Sequence, residues 1–213
     1  MPRPPRIDIA NYQYHALNRS NGRTQIFNTP ADYQLFIDIL EETVELLDMR
    51  LLAYCLMPNH WHLLLEPKAD GDLSRFMSRL TNTHVKQYQS SHSTVGMGHL
   101  YQGRYKSFLI EDGHYFYTVL RYVERNASRA KLSLRAEDWK WGSAFLRANG
   151  KTKILSSLPI DLPSSYINDL NVPLSATEQE AVKKSETYSI PFASEVWQEN
   201  VKVIVEQKSN LAL

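Results

Sequence analysis

Met57–Glu66, MPNHWHLLLE, is the stretch whose reading decides the fold. Pro58-Asn59 is turn chemistry, and the residues after it alternate with the period of a strand. His60, His62 and Leu64 then share one face, and Trp61, Leu63 and Leu65 the other. Same-side neighbours on a strand lie ~6 to 7 Å apart, close enough for two imidazoles to converge on one cation. An isolated His-x-His is also compatible with an ordinary half-buried strand, so the rest of the chain has to decide between the two.

Working outward, Arg50–Met57 (RLLAYCLM) is an apolar run of strand length that a hairpin through Pro58-Asn59 pairs with the His-x-His strand. Upstream, Thr29-Pro30 is a helix start, and Tyr33, Phe36, Ile37, Leu40, Val44 and Leu47 continue it at helical spacing. IDIANYQYHAL at 7–17 is expected as a first strand, after an extended Pro- and Arg-rich arm. Downstream, Asp70-Gly71-Asp72 opens a helix carrying Leu73, Phe76, Met77 and Leu80, with His84 and Tyr88 further along. SSHSTVGMG at 90–98 breaks it. HLYQGRYKSFLI at 99–110 reads as a strand or hairpin, and a third helix runs from near Asp112 to 130. This order matches a ferredoxin-like α+β fold, an antiparallel sheet with helices on one face, followed by an additional helix. After Trp139 and Trp141 the chain turns to linker language over 149–175, then shows helical patterns in ATEQEAVKKSE and SEVWQENVKVIVEQK. We divide it into residues 1–148 and a small helical C-terminal appendage, 149–213.

At 43% hydrophobic and 22% charged residues, the 213-residue chain has the composition of a soluble globular protein. No window approaches the ~18 uninterrupted apolar residues of a membrane span, and the expected location is the cytoplasm. The single cysteine, Cys55, excludes an intrachain disulfide and a cysteine-built zinc site. A net charge of +1 hides an uneven distribution: ten Lys or Arg against three acids between Arg75 and Arg135, but six against eight over 151–213. With Tyr88, Tyr101, Tyr105 and Phe108 interleaved, the basic middle suits a polyanion with unpaired bases, although such a run is also compatible with a plain solvated face.

The third helix supplies the other half of a site. At ~100° per residue, Phe116, Val119, Leu120, Val123, Ala127 and Ala130 form a stripe facing the sheet. Tyr122 and Asn126 fall on its shoulder one turn apart, and Arg121, Arg125 and Arg129 point further toward solvent. Asn is a poor helix-interior residue and gains from a partner. A phenol is a weak nucleophile at neutral pH and needs a cation near the reacting group. A divalent ion held by His60, His62 and the Asn126 carbonyl meets that need and leaves positions for water and phosphate. The donor set favours Mg²⁺ or Mn²⁺ over a closed zinc site. Tyr115 is the rival nucleophile, but Val119 stands where a partner amide would be needed.

YHALNRSNGRTQIF (14–27), RLLAYCLMPNHWHLLLEP (50–67), GRYKSFLIED (103–112), RYVERNASRA (121–130) and DWKWGSAF (138–145) together resemble the REP-associated tyrosine transposases, single-tyrosine members of the HUH endonuclease superfamily. KSETYSIPFASEVWQENV extends the resemblance more weakly over nearly the whole chain. It implies a ferredoxin-like nuclease domain with His60 and His62 as paired metal ligands, Asn126 as third ligand and Tyr122 as nucleophile. It further implies Mg²⁺ or Mn²⁺ dependence and a single-stranded DNA hairpin, the repetitive extragenic palindrome, cut and rejoined through a 5′-phosphotyrosine. A monomer associated with the nucleoid is expected. Arg19, Arg23, Arg104, Lys106, Arg121 and Arg125 are the candidate DNA contacts. One departure is Ala127, where the family usually has proline, which lets the helix continue past Asn126. Two other readings keep the same residues: a hairpin-binding protein with weak or lost catalysis, and a phosphodiesterase that uses water and leaves Tyr122 incidental.

Overall fold

The computed structural model describes residues 7–211; residues 1–6, most of the expected arm, lie outside the described residues, as do 212–213. Four strands, β1 (Gln13–Arg19), β2 (Arg50–Met57), β3 (His60–Glu66) and β4 (Lys106–Ile110), form one antiparallel sheet in the order β2-β3-β1-β4. Helix α1 (Pro30–Leu47) connects β1 to β2, and α2 (Asp72–Ser91) connects β3 to β4. That is the ferredoxin-like connectivity the periodicities predict. The hairpin at Pro58-Asn59 sets the β2–β3 register, and no helix among the described residues is long and apolar enough to cross a membrane.

α1 begins with Thr29 and Asp32 in a reciprocal capping box and Pro30 in the first turn, which satisfies the free amides of the helix start. α1 and α2 cover one face of the sheet. Phe36, Leu40, Phe76, Met77 and Leu80 pack there against Tyr14, Leu51, Trp61, Leu63 and Leu65. The opposite face carries Leu64, Phe108, Ile110 and the small side of β2. It is covered by α3 (His114–Glu124) through Phe116, Val119, Leu120 and Val123. Helices therefore lie on both faces: the two expected ones on the first, and the additional helix on the second.

Several local expectations differ in the structure. The first strand starts at Gln13, because Asn11 takes a left-handed φ of 61° and its amide bonds to Pro67. Of 99–110, only Lys106–Ile110 is a strand; Tyr101 makes a single bridge to Ser20. The third helix is interrupted at Arg125 before a one-turn α4 (Asn126–Arg129).

Beyond these, α5 (Ser143–Ala148) and α6 (Tyr166–Asn171) precede α7 (Ala176–Tyr188) and α8 (Glu195–Leu211). The first pieces are tied to the end of α3 by a buried carboxylate. Glu124 accepts from Ser143 Oγ at 2.5 Å, Arg147 Nε at 2.9 Å and Tyr166 Oη at 2.6 Å. α7 packs on α3 and β4, and Phe192 bridges Ile110 at the sheet edge.

Candidate active site

The site lies on the face under α3. β1 and β3 pair so that Leu17 stands opposite His62 and His15 opposite Leu64, which puts both histidines on the same side of the sheet. Their rings approach with His15 Nε2 2.8 Å from His62 Nδ1. His60 and His62 also face the same side, ring centroids 5.0 Å apart, and His60 Nδ1 lies 2.6 Å from Asn59 Oδ1. From α3, Tyr122 sets its ring edge-on to both His62 and His15, at 6.2 and 6.3 Å. Its hydroxyl donates to Glu186 Oε2 at 3.2 Å.

Glu186 comes from α7, in the segment read from the sequence as an appendage, and neither it nor His15 was expected in the site. Its Oε1 lies 3.6 Å from His62 Nδ1 and 3.9 Å from His15 Nδ1. These are contacts of a carboxylate with neutral rings rather than ion pairs. Burial pushes His15 down to about 3 and His60 to about 4, and holds His62 well below the usual histidine range, with the neighbouring imidazoles and Arg129 adding to the effect. Burial also raises Glu186 to about 7, against the opposing pull of the Tyr122 hydroxyl, Arg129 and Arg19. The Tyr122 hydroxyl is raised above the ordinary phenol value, first by burial and then by Glu186.

Asn126 is fully buried, and its amide is occupied. Nδ2 donates to the Tyr122 carbonyl at 3.2 Å, and Oδ1 accepts from Arg129 at 2.5 Å. Arg129 also lies over the Tyr122 ring, 5.0 Å from its centroid. Asn126 is thus linked to the cluster through Arg129 and its own helix. The rival Tyr115 packs edge-on against Phe192.

The donors fit a divalent cation. His62 Nε2, His15 Nδ1 and Glu186 Oε1 are buried with no hydrogen-bond partner, which is rare for buried polar atoms. His60 has only its Nδ1 tied to Asn59. One atom from each of His15, His62 and Glu186 lies within 4.8 Å of the others. Neutral imidazoles keep their lone pairs available at physiological pH.

Beside Glu186 a cavity of about 390 Å³ is lined by Arg19, Arg104, Lys106 and Asn18. A larger one, about 770 Å³, continues from Asn18 and Arg104 along the polar side of α2 past Ser78 and Asn82. Three of the candidate DNA contacts therefore border the site. Arg23 is exposed beside the β2–β3 turn, where Asn59 donates to its carbonyl. Arg121, expected to face solvent, spends its guanidinium on the carbonyls of Asp169 and Val172, and Arg125 is half-buried. Arg121 is covered because the chain after residue 149 folds back over α3.

Comparison with solved structures finds a REP-associated tyrosine transposase bound to a REP hairpin, 18% identical, TM-score 0.57, covering 83% of this chain and 100% of that one. A provisional transposase from Deinococcus radiodurans is 21% identical, with TM-score 0.42 and coverage of 58% and 96%. No curated protein matches. The first likeness shows a shared fold, consistent with the α+β architecture described above. The family model of IS200-like transposases matches residues 8–126, from the start of the sheet through both histidines to Asn126, and the chain belongs to that family.

Proposed function

We propose that this chain cuts and rejoins single-stranded DNA at a folded hairpin of the repetitive extragenic palindrome type, through a covalent 5′-phosphotyrosine on Tyr122. The observation that carries the reading is that the Tyr122 ring stands edge-on to the buried histidines while its hydroxyl meets Glu186, which also lines a cavity bordered by Arg19, Arg104 and Lys106. Those cations, with Arg23, hold the DNA backbone and aim the scissile phosphate at Tyr122. Tyr122 Oη bonds to phosphorus as the bond to the 3′-oxygen breaks, and that oxygen takes up a proton and leaves as a free hydroxyl. The phenolic proton passes to Glu186 Oε2, which already accepts it as a hydrogen bond. Attack of another 3′-hydroxyl on the phosphotyrosine reverses the step and joins strands without ATP.

His60 and His62 are the residues to hold Mg²⁺ or Mn²⁺, which when bound polarises a phosphate oxygen. Asn126 joins them once Arg129 releases its carbonyl oxygen. Residues 1–148 form the nuclease unit of this monomer, and 149–213 bring Glu186 against it. A second reading has a specific observation behind it. With Tyr122 bonded to Glu186 and Asn126 to Arg129, the chain could instead be a hairpin-binding protein whose catalysis is weak.

One experiment separates the readings: labelled single-stranded hairpin DNA incubated with Mn²⁺ and resolved on denaturing gels. A protein–DNA adduct that disappears in Tyr122→Phe supports the transesterase. Cleavage that persists in Tyr122→Phe points to water attack, and retention without cleavage to the binding protein.

A further inference from the structure

We propose that His15 is a positioning residue that fixes the tautomer of His62 and so keeps the His62 Nε2 lone pair free for a cation. The two rings are parallel to within 1°, with centroids 5.0 Å apart. That separation is what a 2.8 Å nitrogen–nitrogen contact plus two ring radii makes. The imidazoles therefore meet edge to edge in a common plane, with the hydrogen bond between His15 Nε2 and His62 Nδ1 along the line joining them.

A bond between two neutral imidazoles needs one donor and one acceptor. Glu186 decides which is which. Its Oε1, which has no hydrogen-bond partner, faces the Nδ1 atoms of both rings, at 3.9 Å for His15 and 3.6 Å for His62. Beside the ionised carboxylate a lone pair on His15 Nδ1 is repelled and an N–H is attracted, so His15 Nδ1 carries the hydrogen and its Nε2 is bare. His62 Nδ1–H then donates to the bare Nε2 of His15. The remaining ring nitrogen, His62 Nε2, is left as a lone pair, buried and with no partner in the protein.

His15 is itself held rigidly. It is fully buried, sits in the middle of β1, and has Phe108 edge-on at 4.9 Å. Such an outer partner on a metal-bound histidine fixes ring orientation and tautomer, and its removal typically costs ~10- to 100-fold in metal affinity. The role is unlike that of Asn59, which faces the other histidine from an adjacent, partly exposed turn.

The inference rests on His62 holding the cation as proposed above, and the test keeps the two apart. Mn²⁺ affinity of the full-length protein, without DNA, is measured from the electron paramagnetic resonance signal of free Mn²⁺. Nitrogen-15 NMR of the histidine rings in the metal-free protein reports the tautomers. We expect His62→Ala to remove tight Mn²⁺ binding and His15→Phe to weaken it ~10- to 100-fold. His15→Gln places an amide oxygen where Nε2 stood and is expected to recover most of the loss. In the unaltered protein, His62 is expected as the Nδ1–H form. A proton on His62 Nε2 in the unaltered protein overturns the inference, as does an unchanged affinity in His15→Phe when His62→Ala has lost it. Unchanged affinity in His62→Ala overturns the metal reading, and the inference with it. The tautomer spectrum of the unaltered protein and the Gln variant decide the matter even if His15→Phe does not fold.

Discussion

Each face of the sheet buries a histidine with an unpartnered Nε2, and the two differ in where the proton sits. On the α1/α2 face His84 is fully buried, with Nδ1 2.7 Å from the Tyr101 hydroxyl. That hydroxyl accepts from Trp61 Nε1 at 2.9 Å, so its single hydrogen goes to His84 Nδ1. The proton of His84 is thereby driven to Nε2, among the rings of Phe27, Phe36 and Tyr88. His62, on the other face, meets Glu186 and His15 and keeps a lone pair on the same atom. Burial of an imidazole is therefore no mark of a site by itself. What its neighbours donate and accept decides whether it is packing or a ligand.

The contrast can be broken most forcefully at Trp61, the largest fully buried side chain, which carries the donor that orients Tyr101. Trp61→Ala is expected to cost about 4 kcal/mol in urea unfolding and to free the tautomer of His84. Nearly as large is Glu124→Ala on the other face. It strips Arg147, Ser143 and Tyr166 of their buried acceptor and is expected to cost about 3 kcal/mol. A loss well below 1 kcal/mol would mean that the helices after residue 143 are not anchored there.

Glu186→Gln tests the electrostatics of the site. The Glu186 carboxyl is raised from 4.5 to about 7, so the folded state binds its proton more tightly than the unfolded chain does. The stability this contributes is full below about 4.5 and is lost as pH rises through about 7. Glutamine has no proton to lose, so in chelator the variant is expected to match the parent near pH 4 and exceed it by about 3 kcal/mol at pH 8.5. A pH-independent difference would contradict the burial argument.

The smallest effect is expected from His84→Asn, whose side-chain oxygen can take over the acceptor role of Nδ1. A cost of about 1 kcal/mol with unchanged Mn²⁺ affinity sharpens the contrast, and a fall in affinity would erase it.

The succession of strands and the two longest loop-bridging helices were legible because they rest on local periodicity: the alternation in HWHLLLE, the cap at Thr29-Pro30, and the apolar spacing of α1 and α2. The four-residue spacing of Tyr122 and Asn126 was equally local, although the structure sets the two in α3 and α4, on either side of the break at Arg125. His15 was not legible, since its approach to His62 depends on a strand register between residues 47 apart in the chain. Glu186 was not singled out either, although the helix spacing carried a signal for it. It lies four residues after Val182, which is buried on α7, so the two share one side of that helix. Its target, 64 residues away on α3, does not follow from that spacing. The arginines of α3 went astray for a related reason. Helical angles give a direction, but not what the later chain lays across it, and α6 claims Arg121.

The sheet has one further property. On its outer strand β2, the carbonyls of Leu51, Leu52 and Leu56 accept from Ser156, Arg147 and the Trp139 indole, while the Tyr54 and Leu56 amides donate to Ser143 Oγ and the Trp141 carbonyl. At the opposite margin Phe192 exchanges main-chain bonds with Leu109 and Glu111. Exposed strand margins are where proteins polymerise edge to edge, and here both are spent on the chain's own later segments. A second copy meeting this molecule finds little backbone to zip onto at these positions, so self-association there has to go through side chains.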